Sequence, residues 1–365
     1  MKRVAVITNH ADDIYCFRKE LIEEIYNMGN EIVISCPYGE KLDLLSNIKF
    51  ELDQPIIDRR GINPFKDLNL LMHYIKFMKK YKPDIVLAYT IKPNVYASIA
   101  SRYCKVQYIN NITGLGSVLN KGKILQNIIY KLLKFALKDS KCVFFQNETN
   151  MKLILNKNII TGKHQLIPGS GVNTNRFALQ EYPKNDNVIR FNYIGRVLSE
   201  KGIDDYIEAA KKIKNKYKNT EFNIIGFIEP TEKHYLQDFE ELEKKGIIVY
   251  RGEQKDVRPF IQKSNAIIHP SKYGEGMSNV LLENASSGRP IITTNNPGCY
   301  ETVNDGVTGY IYEKGNIEEL VDKVEQFINL PYEQKIKMGI AGRDKMLKDF
   351  DRNIVIKNYM KVIYE

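Results

Sequence analysis

The most informative segment of the sequence is Tyr273-Gly-Glu-Gly-Met-Ser-Asn-Val-Leu-Leu-Glu-Asn-Ala-Ser-Ser-Gly-Arg-Pro290. It opens as a glycine-rich loop and continues into the apolar pattern of a buried helix. Glu275 lies in the loop, and Glu283 follows eight residues later, about one turn into the helix. The N–H groups at the helix start, near Ser278 and Asn279, are predicted to be free and to attract an anion. The segment thus offers acceptors for hydroxyl groups and donors for phosphate, as a sugar nucleotide requires.

The composition predicts two domains and an anionic partner. A chain of 365 residues is long for one core, and a hydrophobic content of 43% is ample for packed interiors. The 54 Lys and Arg residues outnumber the 44 Asp and Glu residues, which gives a formal net charge of +10. This charge suits nucleic acid, a phospholipid surface or a phosphorylated substrate, and it does not distinguish among them.

The cysteines and apolar runs predict a reduced, cytosolic protein. The five cysteines are scattered and show no C-x-x-C spacing, which disfavours disulfides and a cysteine metal site. The sequence contains no run of about 18 apolar residues, so no transmembrane helix is predicted. The apolar run at 4–8 is too short for a signal peptide, and it is predicted to be the first strand.

Short buried strands alternate with helices along the chain, a pattern typical of parallel βαβ units. In the first half the alternation runs from the strand at 4–8 to a strand at 142–146, with one helix predicted over 14–28. It restarts with a strand at 189–195. The sequence therefore predicts an α/β fold with two doubly wound parallel sheets, whose ligands bind beyond the carboxyl ends of the strands, in a cleft between the halves.

The domain boundaries follow from the breaks in this alternation. A polar, aperiodic stretch at 171–187 is predicted to be the linker. The first domain is then 1–170 and the second 188–350. A C-terminal helix within 351–365 is predicted to pack back on the first domain.

Cations follow the first strand of the second half. Gly195 ends that strand, and Arg196 and Lys201 follow in the loop before the next helix. Arg can hold a diphosphate with a planar fork and Lys with a point charge. The alternative is that both are ordinary surface cations. Their position at a strand's carboxyl end favours a binding role.

Two further strand ends of the second half carry glycines. Gly226 ends one strand, and Arg251 and Gly252 follow another. The backbone of the second turn is a candidate for contact with a nucleobase edge. A well-formed turn without a binding role is an equal alternative.

Polar loops also follow the strands of the first half. The first contains His10 and Asp13 and lacks the G-x-G-x-x-G fingerprint, which argues against an NAD enzyme. Two later loops carry further candidates for ligand contacts, although each residue could equally be an ordinary polar loop residue. These candidates are Thr90, Lys92 and Asn94 in the loop 89–94 and Asn111 and Thr113 in the loop 110–116.

The segment 121–138 is predicted to be a basic amphipathic helix. Such a helix can lie on an anionic lipid surface, to which each basic residue adds about 1 kcal/mol. The alternative is an ordinary domain helix with its lysines in water. For the protein as a whole we expect peripheral binding at the cytoplasmic face of a membrane.

These motifs together resemble the retaining glycosyltransferases of family 4, which have the GT-B fold. Glu275 and Glu283 stand in the position of that family's E-x7-E motif, and Gly195-Arg196-x4-Lys201-Gly202 stands where the family keeps its diphosphate-binding Arg and Lys. The segments Gly252-x3-Asp256 and 304–309 are similar to family segments as well. The resemblance covers essentially the whole chain and is strongest in the second half.

The resemblance implies a role for each motif. Arg196 and Lys201 would neutralise the donor diphosphate, Glu275 would lie at the donor sugar, and Glu283 would bind the ribose hydroxyls. Other implied donor contacts are Gly195, Gly226, Arg251, Gly252, Gly276, Met277, Ser278 and Asn279. The implied donor is a UDP-sugar held without a metal or other cofactor. Retention in this family is described as front-face attack by the acceptor hydroxyl.

The first half is similar to bacterial transferases that extend undecaprenyl-diphosphate-linked saccharides, in capsule and other glycan synthesis. The similar segments are 89–94 and 111–116, which makes His10, Asp13, Thr90, Lys92, Asn94, Asn111 and Thr113 candidate acceptor residues. The family's glycine pair in the first loop is replaced by Ala11-Asp12-Asp13. A GT-B sugar-nucleotide epimerase is the alternative within the fold. A basic lipid- or nucleic-acid-binding protein is the alternative outside it, although no nucleic-acid module is visible.

Overall fold

The computed structural model describes residues 1–58, 61, 63–115 and 122–365. Within this part of the chain, contacts divide the protein into two compact units. The first unit contains Met1–Ser170 and Asn353–Glu365, and the second contains Gly171–Arg352. Each unit has its own hydrophobic cores on the two sides of a parallel sheet.

The first unit is built on a parallel sheet with the strand order β3-β2-β1-β4-β5-β6-β7 among the described residues. Its strands are β1 (Arg3–Ile7), β2 (Glu31–Ser35), β3 (Phe50–Asp53), β4 (Ile85–Tyr89), β5 (Gln107–Ile112), β6 (Cys142–Phe145) and β7 (His164–Leu166). Its helices are α1 (Ala11–Phe17), α2 (Lys19–Asn27), α3 (Pro64–Tyr81), α4 (Ile91–Tyr103), α5 (Lys123–Leu137) and α6 (Glu148–Asn156). Alternate residues of β1 enter different cores, because helices cover both faces of the sheet.

The second unit repeats this plan with the strand order β10-β9-β8-β11-β12-β13 among its described residues. The strands are β8 (Ile189–Ile194), β9 (Thr220–Ile225), β10 (Val249–Tyr250), β11 (Ala266–His269), β12 (Ile291–Thr294) and β13 (Gly309–Tyr312). The helices are α7 (Ile203–Lys216), α8 (Tyr235–Lys244), α9 (Arg258–Lys263), α10 (Asn279–Ser286), α11 (Ile317–Asn329) and α12 (Tyr332–Lys345). All these strand pairs are parallel, which confirms the predicted α/β class with two doubly wound sheets.

The last helix, α13 (Arg352–Tyr364), packs on the first unit as predicted. Its buried residues Val355, Tyr359 and Val362 enter the same core as β1 and β4. The stretch 171–187, predicted to be a linker, lies within the second unit. Phe177 and Tyr182 of this stretch are buried because their aromatic rings pack on that unit.

Three local predictions were wrong. The single helix predicted over 14–28 is two helices, which meet at Arg18, where the backbone leaves the helical region with φ −127° and ψ −6°. The loop predicted at 89–94 is largely the first turn of α4, in which Pro93 is tolerated because first-turn N–H groups need no helical partner. The short strands β3 and β7 were not predicted, because neither is a long apolar run.

Candidate functional site

Glycines bring the backbones of three neighbouring strand ends into close contact in the second unit. Gly195 follows β8, Gly226 follows β9, and Gly252 follows β10. The N–H of Gly195 donates to the Ile225 carbonyl at 2.9 Å, and the N–H of Gly226 donates to the Gly252 carbonyl at 2.9 Å. Gly226 has a φ of +151°, and a Cβ built on it would lie 1.8 Å from the carbonyl oxygen of Gly195. Only glycine fits at position 226, because the two backbones approach each other too closely for a Cβ.

Arg196 begins the loop after β8. One guanidinium nitrogen, NH1, lies 2.7 Å from Oε1 of Glu229, and the Arg196 side chain is 38% exposed. Its other guanidinium nitrogens make no hydrogen bond within the described ranges. The Tyr193 hydroxyl donates to the Arg196 carbonyl at 2.8 Å and fixes the start of the loop. The Arg196 guanidinium is therefore anchored by Glu229 and is still accessible to a ligand at the end of a central strand.

Lys201 lies further along the same loop and makes a buried ion pair with Glu275. The distance from Nζ to Oε1 is 2.6 Å, and the side chains are only 15% and 13% exposed. Gly202 follows with a φ of +77°, and a Cβ there would lie 1.9 Å from the Pro270 carbonyl oxygen. This backbone approach places Lys201 beside the loop that contains Glu275.

Ser271 and His269 complete the surroundings of Glu275. Ser271 Oγ donates to Oε1 at 3.2 Å, and Nε2 of the buried His269 lies 3.3 Å from the same oxygen. The same Nε2 lies 3.2 Å from Ser278 Oγ. Burial alone would raise the pKa of Glu275, but the Lys201 charge and the His269 contact outweigh it and hold the pKa well below its usual value. Glu275 is therefore ionised at neutral pH.

The segment after Glu275 is held by Gly298. The N–H of Ser278 donates to the Gly298 carbonyl at 2.8 Å, so the prediction of a free N–H at this residue was wrong. Gly298 adopts a φ of +85°, and a Cβ there would lie 2.9 Å from the Gly276 carbonyl oxygen. Met277 is buried in the core of the unit, and Asn279 is the first residue of α10. The loop is therefore fixed at its backbone.

Glu283 lies on α10 and is half-buried. Burial raises the pKa of its carboxyl to about 7, although Arg352 and Arg176 act in the opposite direction. No hydrogen bond to this carboxylate is formed by the residues that the structure describes. The oxygen atoms of the Glu283 carboxyl are therefore available to accept hydrogen bonds from a ligand. Glu283 lies on α10, eight residues after Glu275.

The raised pKa of Glu283 predicts a pH-dependent affinity for the nucleotide. If the ionised carboxylate binds the ribose hydroxyls, UDP affinity should fall by about tenfold from pH 8 to pH 6, because the ionised fraction falls about tenfold around a pKa of 7. Calorimetry of UDP binding across this range measures the effect. Glu283→Gln is the matched variant, since it keeps the shape and cannot titrate. An identical pH profile in both proteins would contradict the ribose role.

Glu283 also affects stability with a defined sign. Its pKa is higher in the folded than in the unfolded protein, so the folded state binds more protons between about pH 4.5 and 7. Its contribution therefore falls as the pH rises through that window. At neutral pH the burial of this carboxyl therefore lowers the stability of the fold, as is common for a residue that is retained for binding rather than for stability.

Arg251 is directed along the sheet. Its Nε donates to Oδ1 of Asn223 at 2.9 Å, and NH2 lies 3.4 Å from Glu221. Both partners belong to β9. Gly252 has a φ of +66° and no atom within 4 Å of a built Cβ, so space remains beside its backbone. The proposed contact with a nucleobase through this turn stays a prediction.

One cluster of potential metal ligands was found among the described residues. Ligand atoms of His269, Glu275 and Cys299 lie within 4.8 Å of one another. The Lys201 ammonium already lies 2.6 Å from Glu275. Burial raises the pKa of the Cys299 thiol far above its usual value, so the thiolate that a metal needs is disfavoured. This donor set fits a metal ion poorly.

The acceptor candidates of the first loop form local contacts. His10 is the N-cap of α1, and its Nδ1 accepts from the Asp12 N–H at 3.3 Å. Asp13 accepts from the Thr8 hydroxyl at 3.1 Å. Both side chains lie at the carboxyl end of β1, and their role with an acceptor stays a prediction.

The candidates near β4 and β5 are brought together. Thr90, Asn94 and Thr113 line one small recess. Lys92 makes a 2.6 Å ion pair with Asp67. Asn94 is buried and donates to the Asn111 carbonyl at 2.8 Å, so it supports the neighbouring strand. Gly116 and Lys121, the end of the predicted loop and the start of the predicted basic helix, lie outside the described residues.

Residues that the sequence did not single out complete the site. His269, Ser271 and Glu229 contact the predicted Glu275 and Arg196 directly. His269 and Ser271 flank the carboxyl end of β11, immediately before the glycine-rich loop. Their position at a strand end was the available signal. No helix in the described part of the chain combines the length and apolarity that a membrane crossing demands.

Two family models match the chain. The model described as glycosyl transferases group 1 matches residues 175–345, and the model described as glycosyl transferase 4-like matches residues 3–147. The first range contains both cations and both glutamates of the candidate site. The second lies in the first unit.

Two bacterial relatives match nearly the whole chain. The N,N'-diacetylbacillosaminyl-diphospho-undecaprenol alpha-1,3-N-acetylgalactosaminyltransferase of Campylobacter jejuni is 23% identical, over 99% of this chain and 98% of that protein. The capsular polysaccharide biosynthesis glycosyltransferase CapM of Staphylococcus aureus is 27% identical, over 92% of this chain and 90% of that protein.

Solved structures with the same fold include Anabaena Alr3699/HepE in complex with UDP and glucose. Its TM-score is 0.80 at 15% identity, with complete coverage of both chains. A structure of Staphylococcus aureus TarM with UDP has a TM-score of 0.75 at 13% identity. These likenesses confirm the predicted GT-B fold class. The two family models, together with the relatives that match nearly the whole chain, show that this chain is a glycosyltransferase of the group 1 and 4-like families.

Proposed function

We propose that the protein transfers a sugar from a UDP-sugar to a lipid-diphosphate-linked saccharide, with retention of configuration and without a metal. The observation that carries this proposal is the buried ion pair of Glu275 with Lys201, which follows Arg196 in the loop after β8. It places two fixed cations and an ionised carboxylate at the carboxyl ends of neighbouring strands. A diphosphate and a sugar hydroxyl are the groups that such a set can bind together.

In this reaction the chain's cations stabilise the leaving group. The acceptor oxygen forms a bond to the anomeric carbon on the face from which the diphosphate departs. The bond from that carbon to the diphosphate oxygen breaks, and the departing phosphate takes the hydroxyl proton. Arg196 and Lys201 neutralise the charge that develops on the diphosphate, so no protein nucleophile is required.

Glu275 has two tasks in this proposal. Its carboxylate fixes the Lys201 ammonium, and its ionised state suits it to accept a hydrogen bond from a donor-sugar hydroxyl. Glu283 binds the ribose, and the glycines that follow β8, β9 and β10 let the nucleotide lie against backbone. The UDP in the HepE and TarM complexes supports a UDP-linked donor.

The acceptor proposal is supported by the relatives and by the first unit. The Campylobacter jejuni relative and an Escherichia coli alpha-1,3-galactosyltransferase with 27% identity both have a diphosphoundecaprenol substrate in their names. Helix α5 exposes Ile128, Phe135, Lys131 and Lys134. Such a face can lie on anionic lipid, so we place the protein at the cytoplasmic face of a membrane.

A donor panel tests the proposal. Purified protein is incubated with different UDP-sugars and a lipid-diphosphate saccharide, and the anomeric configuration of the product is read by NMR. The expected product keeps the donor's configuration. An inverted product would contradict retention. Isomerisation of the UDP-sugar without an acceptor would instead favour an epimerase, and salt-sensitive DNA retention without UDP binding would favour a basic binding protein.

Activity is expected to be unchanged in EDTA, because Arg196 and Lys201 supply the positive charge that a metal would supply elsewhere. The measurement is the initial rate in EDTA and in excess Mg²⁺, after dialysis against chelator. A complete loss of activity in EDTA that Mg²⁺ restores would contradict the metal-free mechanism.

A further inference from the structure

Arg18 is a buried cation with few partners in the first unit. It lies where α1 ends and α2 begins, and it is only 5% exposed. Within the described part of the chain its guanidinium makes one hydrogen bond, from NH1 to the neighbouring Phe17 carbonyl at 3.2 Å. No carboxylate of the described residues pairs with it. Burying a charge in this way is costly unless another group compensates.

Other buried cations of this protein are better satisfied. Arg289 is fully buried and donates to six carbonyl oxygens at 2.7–3.3 Å. Lys335 is 7% exposed and donates to two carbonyls at 2.8 and 2.9 Å. Buried cations with a purely structural role therefore have several acceptors in this chain. Arg18 departs from that pattern.

Polar groups with unused hydrogen-bonding capacity lie near Arg18. Its guanidinium carbon lies 4.3 Å from the ring centroid of Tyr89, the last residue of β4. Asn111 lies opposite Tyr89 in the register of β4 and β5, and its Nδ2 donates to the Tyr359 hydroxyl at 2.7 Å. Among the described residues, Oδ1 of Asn111 is buried without a hydrogen-bond partner. The Tyr89 hydroxyl is buried close to the Tyr359 hydroxyl, and no described residue accepts a well-aligned hydrogen bond from it. The cluster therefore contains unused donors and an unused acceptor.

The position of the cluster favours a ligand. Tyr89 and Asn111 are at the carboxyl ends of two central strands, where α/β sheets bind ligands. Arg18 and Tyr89 can donate to phosphoryl oxygens, and Oδ1 of Asn111 can accept from a sugar hydroxyl. A phosphoryl group next to a sugar has this combination.

We propose that Arg18, Tyr89, Asn111 and Tyr359 form a binding site in the first unit for the phosphoryl group and first sugar of the acceptor. Arg18 binds the phosphoryl oxygens, and the ring of Tyr89 holds the guanidinium in place by a cation–π contact. The proposal rests on the proposed function, because that function supplies a diphosphate-linked acceptor. A second source of the same chemistry is the diphosphate of the nucleotide, which the experiment separates.

The kinetic test uses two acceptors with the same saccharide, one on a lipid diphosphate and one on a neutral alkyl chain. Arg18→Gln is expected to raise KM for the diphosphate acceptor by about 10- to 100-fold, the range for a hydrogen bond to a charged group. KM for the neutral acceptor and for the UDP-sugar should not change. Arg18→Lys should recover part of the loss, because it restores the positive charge.

Arg3→Gln is the matched control. Arg3 belongs to the same unit and pairs with Glu31, but it begins β1 and so lies at the opposite edge of the sheet. Its KM values should equal those of the wild type.

Equal losses with both acceptors in Arg18→Gln would show a structural role and overturn the proposal. An unchanged KM for the diphosphate acceptor in a folded variant would overturn it as well.

A binding measurement separates this proposal from the proposed function. Geranyl diphosphate is titrated by calorimetry into wild type and both Arg18 variants in saturating UDP, and UDP binding is measured on the same preparations. Weaker geranyl diphosphate binding with unchanged UDP binding supports the site. Failure of UDP to bind would contradict the proposed function alone. If Arg18→Gln does not fold, the comparison uses Arg18→Lys alone. Equal geranyl diphosphate affinity in Arg18→Lys and wild type would then overturn the proposal, because a phosphoryl group held by the planar guanidinium should bind less tightly to lysine.

Discussion

Replacing Lys201 with alanine is expected to lower kcat by about 100-fold or more, the usual effect of removing a group that stabilises developing negative charge. Lys201 is the more buried of the two cations, and its ammonium is held 2.6 Å from Glu275. Water therefore screens it less than an exposed lysine, and its charge acts more strongly on the departing diphosphate. Steady-state kinetics with saturating donor and acceptor measure the effect.

Lys216→Ala is the control for this experiment. Lys216 lies 2.6 Å from Glu325, the same separation as in the Lys201 pair, but its side chain is 61% exposed. Because an exposed pair contributes little, kcat should stay at the wild-type value. A kcat in Lys201→Ala that equals that of Lys216→Ala would contradict a role for Lys201 in turnover.

Loss of Lys201 should also affect folding, and a second variant separates the two effects. Lys201→Ala leaves the Glu275 carboxylate buried without its cation, which costs on the order of 3 kcal/mol. The double variant Lys201→Met with Glu275→Gln removes both charges and should recover much of the free energy of unfolding. Its kcat should stay low, because recovered folding does not restore the positive charge at the diphosphate. Recovery of both would assign a purely structural role to Lys201.

The strand–helix alternation was enough to predict the two sheets. Strands such as β4 are apolar along their whole length because helices cover both faces of a parallel sheet. The candidate cations were found because they follow strands and glycines, and such loops lie at one edge of the sheet. Hydrophobic periodicity therefore predicted the fold. The position of residues at strand ends predicted the candidates for the donor site.

The partners of those residues could not be predicted, because they depend on which strand ends meet. Glu275, which His269 contacts at the end of β11, pairs with Lys201, which follows β8. The sequence does not give the register of that pair of strands. The break at Arg18 was missed because the apolar spacing of 14–28 is continuous through it. Side-chain partners and local backbone angles are long-range or context-dependent properties, which periodicity does not encode.

Gly226→Ala is expected to lower the free energy of unfolding by about 3 kcal/mol, through backbone strain and a steric clash together. The new Cβ would lie 1.8 Å from the carbonyl oxygen and 2.7 Å from the carbonyl carbon of Gly195. Both are backbone atoms, so no side-chain rotation relieves the clash. The backbones that follow β8 and β9 must separate, at the expense of the 2.9 Å hydrogen bond from Gly195 to Ile225. Chemical denaturation measures the change.

Gly195→Ala isolates the steric part of this effect. Gly195 has a φ of +152°, within one degree of Gly226, but a Cβ there meets no atom nearer than 4.0 Å. Both variants therefore carry a similar strain of φ, and only Gly226→Ala adds the clash. We expect Gly195→Ala to be the more stable protein by about 1–3 kcal/mol, the cost of overpacking. Equal stability of the two variants would show that φ alone demands glycine, and that the strand ends are free to move apart.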